Sequence, residues 1–208
     1  MQKIRDPDQT QQIILKAAFD EFHRNGFQGS SISNILKRTG LTKGALFYHF
    51  PNKLSLGYAV VDELIEPMIV AIWISPLDAR TDPITALQDL LKNAIKRMSE
   101  QWGSKALLLG CPLHHLSEEM SGLDEGFKDR CNRIFRRWQS GVAGVLVDAK
   151  EQGLIDQHID EENTAMFIIA SIEGAISMGK RHQTIAGFLE TLQGNNEHLS
   201  LYLNSLRV

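Results

Sequence analysis

The stretch SISNILKRTGLTKGALFYHFPNK, residues 31–53, decides the fold. Ser31 is placed to cap a short helix whose apolar residues Ile32, Ile35 and Leu36 recur at helical spacing, and Gly40 supplies the left-handed residue that ends it. Thr42 is placed to cap a second helix. Pro51 disfavours helical geometry at Phe50, so this second helix is confined to roughly Lys43 to His49. So short a helix builds little core. What it offers is its N-terminus, where free backbone N–H groups, the Thr42 hydroxyl and the Lys43 ammonium suit a phosphate or a base edge. Two short helices joined by a glycine turn, the second basic and aromatic, have the layout of a helix-turn-helix that reads double-stranded DNA.

Outward from this motif nearly everything reads as helix, and no period-2 strand bounded by turns is found. A first helix begins at Asp6-Pro7-Asp8-Gln9, with a cap residue, a proline at the first helical position and a glutamine to close a capping box. Its stripe Ile14, Ala18 and Phe22, flanked by Ile13 and Ala17, can pack on the two motif helices. After Pro51, Asn52 caps a fourth helix that runs to about Ile74 and is closed by Ser75-Pro76. Further helices are expected from Pro83 to Gln101, Leu113 to Met120, Asp124 to Glu151, Asp160 to Lys180 and Ile185 to Leu206. The last carries Gly194-Asn195-Asn196, where a break is expected, either splitting it into two helices or forming only a loop. The expectation is an all-α protein with a three-helix DNA-reading domain over 1–53 and a helical effector-binding and dimerisation domain over 54–208.

Charge is polarised along the chain. Residues 1–55 hold eight Lys and Arg against four Asp and Glu, while the remainder holds 14 against 21. A basic head on an acidic body lets one end approach a polyanion while the rest avoids it. In the Asp124–Glu151 helix, Phe127, Cys131, Ile134, Phe135, Trp138, Val142, Val145 and Leu146 form an apolar face. Lys128, Arg130, Arg133, Arg136 and Arg137 on its other side read as a solvated face paired with Glu118, Glu119, Asp124 and Glu125 rather than as a second nucleic-acid patch.

The run from Leu41 to Lys53 resembles the signature of TetR-type bacterial transcription regulators, with a glycine after Lys43, the ending Phe47-Tyr48-His49-Phe50 and a lysine two residues past Pro51. The likeness extends back through residues 10–30, where a helix ending in Asn25-Gly26-Phe27 precedes the motif. It implies that Tyr48, His49 and Lys53 touch DNA phosphates. Lys43 and Lys53 suit phosphates by their own chemistry, Thr42, Ala45 and Phe47 suit base edges or thymine methyls, and Leu46 and Phe50 should pack inward. With Ser31 and Gly44 these complete the expected DNA-binding set.

The same resemblance implies a homodimer and a ligand-responsive body. One short reading helix covers few base pairs, so useful specificity needs a second copy one or more DNA turns away. The small residues Ala165, Ala170, Ser171, Gly174, Ala175, Ser177 and Gly179 make the Asp160–Lys180 helix and the final segment the expected dimer interface, although both could equally pack within one subunit. Leu107 to Leu116 resembles a Gly-Cys-Pro-Leu segment that one branch of these regulators carries at its effector cavity. Trp102, Cys111, His114, His115, Phe127, Cys131, Trp138, Phe167 and Met178 are the candidate effector-lining residues, a mainly apolar wall with a few polar handles for a small hydrophobic or electrophilic effector.

Cys111 precedes a helix start and could be a reactive thiol, the more so if the fold brings Lys180 to it; an inert buried cysteine is the simpler reading. Cys111, Cys131, His114 and His115 are soft donors, but adjacent histidines on a helix point about 100° apart, so no metal site is assigned. No phosphate-cradling glycine loop, HExxH or paired-carboxylate pattern is found and no nucleophile-base-orienter trio can be assigned, so no cofactor and no enzyme are expected. No apolar run reaches the about 20 residues that span a bilayer, so no membrane partner is expected, and the two cysteines and the N-terminus MQKIRDPDQT fit the cytoplasm. The competing reading is a helical small-molecule or electrophile-binding protein that does not read DNA specifically. Together these features lead to a repressor that leaves a palindromic operator when its effector binds.

Overall fold

The computed structural model describes residues 7–77 and 82–208. Among them the chain forms α1 (Pro7–Gly29), α2 (Ile32–Thr39), α3 (Lys43–His49), α4 (Lys53–Val60), α5 (Glu66–Ile69), α6 (Pro83–Trp102), α7 (Pro112–Met120), α8 (Glu125–Glu151), α9 (Glu161–Lys180) and α10 (Ile185–Ser205). The expected cap Asp6 lies outside the described residues. Contacts divide the chain into two compact units, one holding the chain up to Pro67 with Pro112–Asn132, the other Met68–Cys111 with Arg133–Val208. The unit that carries the motif is thus larger than residues 1–53.

In the first unit the expected stripe of α1 is buried at Ile14, Ala18 and Phe22, joined by Leu15. The helix kinks at Gly26, whose φ of 73° is left-handed, and one further turn follows. The backbone N–H groups of Phe27 and Gln28, which open that turn, donate to the Glu119 carboxylate of α7 at 2.7 and 2.8 Å. A Cβ at residue 26 would stand 2.9 Å from Glu119 Oε2, so glycine supplies room as well as φ. Hydrogen bonds to a charged acceptor contribute about 1.5–3 kcal/mol each, enough to hold α7 against the kink.

Phe27 then meets Phe22 at 5.1 Å and Phe127 at 4.7 Å between ring centroids, and Tyr58 meets Phe127 at 5.1 Å. The Tyr58 hydroxyl donates to Asp124 Oδ1 at 2.7 Å, and the same oxygen caps α8 by accepting from Phe127 N at 2.9 Å. The Tyr58 bond is the main reason the Asp124 carboxyl is held below its ordinary value, and it pushes the Tyr58 phenol up. Arg130 stands 4.1 Å from the Tyr58 ring and donates to Asp62 at 2.9 Å. Its hydrogen-bonded acidic partner is thus Asp62 of the segment that follows α4, and its charge also acts on Asp124 at the start of α8. Lys128 does pair with Glu125, at 3.1 Å.

The helix expected from Asn52 to Ile74 starts as read: Asn52 accepts from Ser55 N at 2.8 Å and Ser55 closes the capping box. It is not α throughout. Wide π turns occupy Val61–Ile65 and Val70–Ile74 on either side of α5. Pro67 lies between them and has no N–H to give to an α ladder. Val61 and Ile65 in one unit, and Ile69 and Trp73 in the other, are pairs four apart, all at most 1 % exposed, so each pair presents one buried helix face.

In the second unit Trp73 stacks on Trp138 at 5.0 Å and 23°. Asp160 caps α9 by accepting from Asn163 N at 2.9 Å, and Gly153, at φ 67°, follows the end of α8. Helix α10 runs unbroken through Gly194-Asn195-Asn196. The two asparagines are used sideways: Ser171 donates to Asn195 Oδ1 at 2.7 Å, and Asn196 donates to the Leu91 carbonyl at 2.9 Å. Arg207, paired with Ile155 in a single antiparallel bridge, donates to Asp82 Oδ2 at 2.7 Å, while Asp82 caps α6 through Ile84 N at 3.0 Å.

Two outcomes follow from this packing. A Cβ at Gly57 would fall 2.6 Å from both the Phe27 and Phe127 rings. Gly57→Ala should therefore lose about 1–3 kcal/mol to overpacking, more than the roughly 0.5–1 kcal/mol that alanine gains in a helix, and a lower urea midpoint would register it. Burial alone would raise the Asp82 carboxyl, but bonds from the Thr85 hydroxyl, Arg207 and the Thr85 N–H, with the Arg207 charge, outweigh it and lower the pKa from 3.8 to about 2. A depressed folded value means stability that is present above pH 3.8 and lost as pH falls toward about 2. The stability gap between wild type and Asp82→Asn, from urea melts, should be full at pH 6 and close across that window; a gap independent of pH would refute the linkage.

Candidate nucleic-acid interface

The motif folds locally as its residues dictate. Ser31 Oγ accepts from Asn34 N at 3.1 Å, and Gly40, at φ 64°, ends α2 with its N–H on the Leu36 carbonyl. Thr42 Oγ1 accepts from Ala45 N at 3.2 Å and starts α3, which stops at His49 before Pro51. Leu46 and Phe50 are buried and anchor α3 from within. On the opposite side Thr42, Lys43, Gly44, Phe47 and Tyr48 are exposed, Tyr48 by 81 %. An aromatic phenol left that open has no packing reason to be there and is available to an external partner.

Lys43 Nζ lies 5.6 Å from the Phe47 ring, one turn along α3, and the Tyr48 and His49 rings meet edge to face at 5.1 Å. Ala45 and His49 are half-buried. A Cβ at Gly44 would meet only Thr42 Oγ1, at 3.9 Å, so glycine there keeps the surface low rather than relieving a clash. Lys53 is folded back: its Nζ stands 4.5 Å over the Phe27 ring and 3.5 Å from the Gln28 carbonyl. Burial against the ring pulls its pKa down, and the Glu119 charge opposes that. The structure thus brings Thr42, Lys43, Gly44, Phe47 and Tyr48 together on α3 and sets Lys53 on α1's last turn, while Ser31 serves α2 as a cap.

Two carboxylates essential to this geometry carry no mark in the motif. Glu21, 1 % exposed, accepts from Asn34 Nδ2 at 3.0 Å and pairs with Arg38 at 3.3 Å, tying α1 to α2. An acid three residues past Ala18, on the apolar stripe, was the available signal. Glu119 had none, since its partners are 91 and 92 residues away.

The nine effector candidates fall in both units. Phe127 and Cys131, each fully buried, lie in the unit with α3, where Phe127 is part of the aromatic core. His114 faces Glu118 at 3.5 Å, and His115 lines a small crevice with Phe19, Phe22, His23 and Glu119 in the same unit. Trp102, Cys111 and Trp138 are buried in the second unit, and the Trp102, Trp138 and Trp73 indole N–H groups have no hydrogen-bond partner. Phe167 and Met178 are instead half exposed on α9. The Lys180 side chain does run beside Gly110, the residue before Cys111: a Cβ there would lie 3.4 Å from Lys180 Cδ. Among the described residues no three His, Cys, Asp or Glu side chains are gathered as a metal site would require, and no helix is long and apolar enough to cross a membrane.

Comparison with known proteins agrees with this architecture. The model of the tetR family of bacterial regulatory proteins matches residues 14–59, and that of the tetracyclin repressor-like C-terminal domain matches residues 83–192. The HTH-type transcriptional regulator LmrA of Bacillus subtilis is 30% identical over 164 residues, 78% of this chain and 82% of its own length. The HTH-type transcriptional repressor DhaR of a Mycobacterium species is 26% identical over 165 residues, 79% of each chain. A TetR transcriptional regulator from Chloroflexus aurantiacus shares the fold with a TM-score of 0.79 at 21% identity, over 93% of this chain and 96% of that one. With both domain models matched in order and α3 presenting the expected surface, the chain belongs to the TetR family of helix-turn-helix transcription regulators.

Proposed function

We propose that this regulator is a homodimeric repressor that occupies a palindromic operator in the cytoplasm and leaves it when a small hydrophobic or electrophilic molecule enters its helical body. The observation that carries the reading is α3 itself, a seven-residue helix anchored by Leu46 and Phe50 with Thr42, Lys43, Phe47 and Tyr48 exposed. Lys43, Tyr48, His49 and Lys53 are assigned to phosphates, Thr42, Ala45 and Phe47 to base edges, Gly44 to close approach and Ser31 to the cap that sets α2 on the backbone. Residues 1–53 are the DNA-reading part, and 54–208 carry effector binding and dimerisation.

The face of α9 supports the dimer. Ala165, Ala175 and Gly179 are buried within the subunit, whereas Met166, Phe167, Ala170, Gly174, Ser177 and Met178 are exposed along one side. Phe167 meets Tyr202 of α10 at 5.0 Å, and Leu201 of α10 is 66 % exposed. A row of exposed methionine, phenylalanine and small residues suits a second copy, and on that ground Phe167 and Met178 are assigned to the dimer face rather than to the effector. Trp102, Cys111 and Trp138 remain the effector candidates best placed in the body. The effector must favour the DNA-incompetent spacing of the two α3 helices, because equal affinity for both spacings shifts nothing.

Fluorescence anisotropy with labelled duplexes from the chain's own upstream DNA, at two salt concentrations and with sedimentation for stoichiometry, tests the reading. Saturable binding of a dimer to one palindromic site is expected, and affinity no better than for random DNA would refute it. Lys53→Ala should weaken binding to all sequences alike and lower the salt slope by about 0.9, one phosphate contact; a base-selective loss would refute its phosphate assignment.

A further inference from the structure

We propose that Glu119, on α7 and far from the motif in sequence, is a positioning residue for DNA binding: by capping the Phe27 and Gln28 N–H groups it fixes the shelf from which Lys53 reaches a phosphate. The inference rests on the DNA-binding reading above. Its geometry lies wholly within one compact unit. Lys53 touches two groups, the Phe27 ring at 4.5 Å and the Gln28 carbonyl at 3.5 Å. Those are the two residues whose N–H groups Glu119 accepts, at 2.7 and 2.8 Å. The same carboxylate therefore fixes the two peptide planes that flank Phe27, and through them the ring and the start of the turn whose Gln28 carbonyl the ammonium meets.

The arrangement is specific to a carboxylate at this place. The turn that opens at Phe27 has left its parent helix at Gly26 and has free donors, so it needs an acceptor from elsewhere. Two oxygens meet two successive N–H groups, which an amide could not do without turning its own NH2 against one of them. Gly26 leaves the space, since any side chain there would press on Glu119. Lys53 enters α4 directly after the Asn52 cap, so its backbone is fixed while its side chain depends on the shelf. Within this unit, any displacement of α7 would be felt at Lys53 through the Glu119 bonds.

Simple electrostatics predicts the reverse effect. Removing an anion near a DNA-binding face should tighten binding. If Glu119 acts by position, Glu119→Ala must weaken it.

The test measures affinity for the tightest upstream duplex and for a random duplex of equal length, in wild type, Glu119→Ala, Lys53→Ala and the double variant, each checked for a native melting transition. Glu119→Ala is expected to lose about fivefold in affinity for both duplexes, the size of one lost helix cap, and to lower the salt slope toward that of Lys53→Ala. In the Lys53→Ala background the same substitution should cost no affinity, leaving only the slight tightening that loss of an anion gives. Glu119→Gln, which keeps the shape and one acceptor, should fall between, with amide NMR showing the Phe27 or Gln28 resonance moved from its carboxylate-bonded position. Tighter or unchanged binding in Glu119→Ala, or an equal loss with and without Lys53, would overturn the proposal. Unmoved Phe27 and Gln28 amides in Glu119→Gln would overturn the cap on which it stands. Wild type that does not bind either duplex would instead refute the DNA-binding reading, and the proposal with it.

Discussion

Pro51 imposes the constraint on which the reading head depends. By denying Phe50 helical geometry it limits α3 to seven residues, and a helix of that length does not hold itself in water. Its orientation must come from outside. Leu46 and Phe50 supply it by burial, Thr42 supplies the first turn, and α1, buried along Ile14, Ala18 and Phe22, packs on α2, α3 and α4. The brevity that makes α3 unstable alone also frees its outer residues from any packing role.

This packing is itself held by polar bonds of long reach. Glu21 locks α1 to α2, and Glu119 locks α7 to the end of α1. Neighbouring aromatic packing at Phe27, Tyr58 and Phe127 and the Tyr58–Asp124 bond fasten the start of α8 to α4. Apolar contact brings these helices together without fixing their rotation. The directional bonds at the kink and at Asp124 remove that remaining freedom.

Caps, stops and the fate of α3 were legible in the sequence, because Ser31, Gly40, Thr42, Asn52, Asp82 and Asp160 act on backbone groups within three or four residues of themselves. The segment 112–132 was read as part of the body, since nothing local says that it packs with α1. Glu119 was set against the basic face of α8 for the same reason, and the bond from Arg130 to Asp62 had no local sign. At Gly194 the local rule pointed to a break, yet side-chain bonds from Asn195 and Asn196 to neighbouring helices sustain α10. The small residues of α9 could not be apportioned in advance: whether Ala175 or Gly174 faces inward depends on where α10 lies.

The π turn at Val70–Ile74 gives chain length a meaning inside the core. It holds one residue more than an ordinary turn would need. A deletion of a single residue there would close into a regular α ladder without breaking a loop or exposing a hydrogen bond, and the residues beyond it would keep their phase, because the wide turn already absorbs the extra one. The stack of Trp73 on Trp138, at 5.0 Å, would be spared. Insertions and deletions are usually expected in loops; here a core helix has room for one.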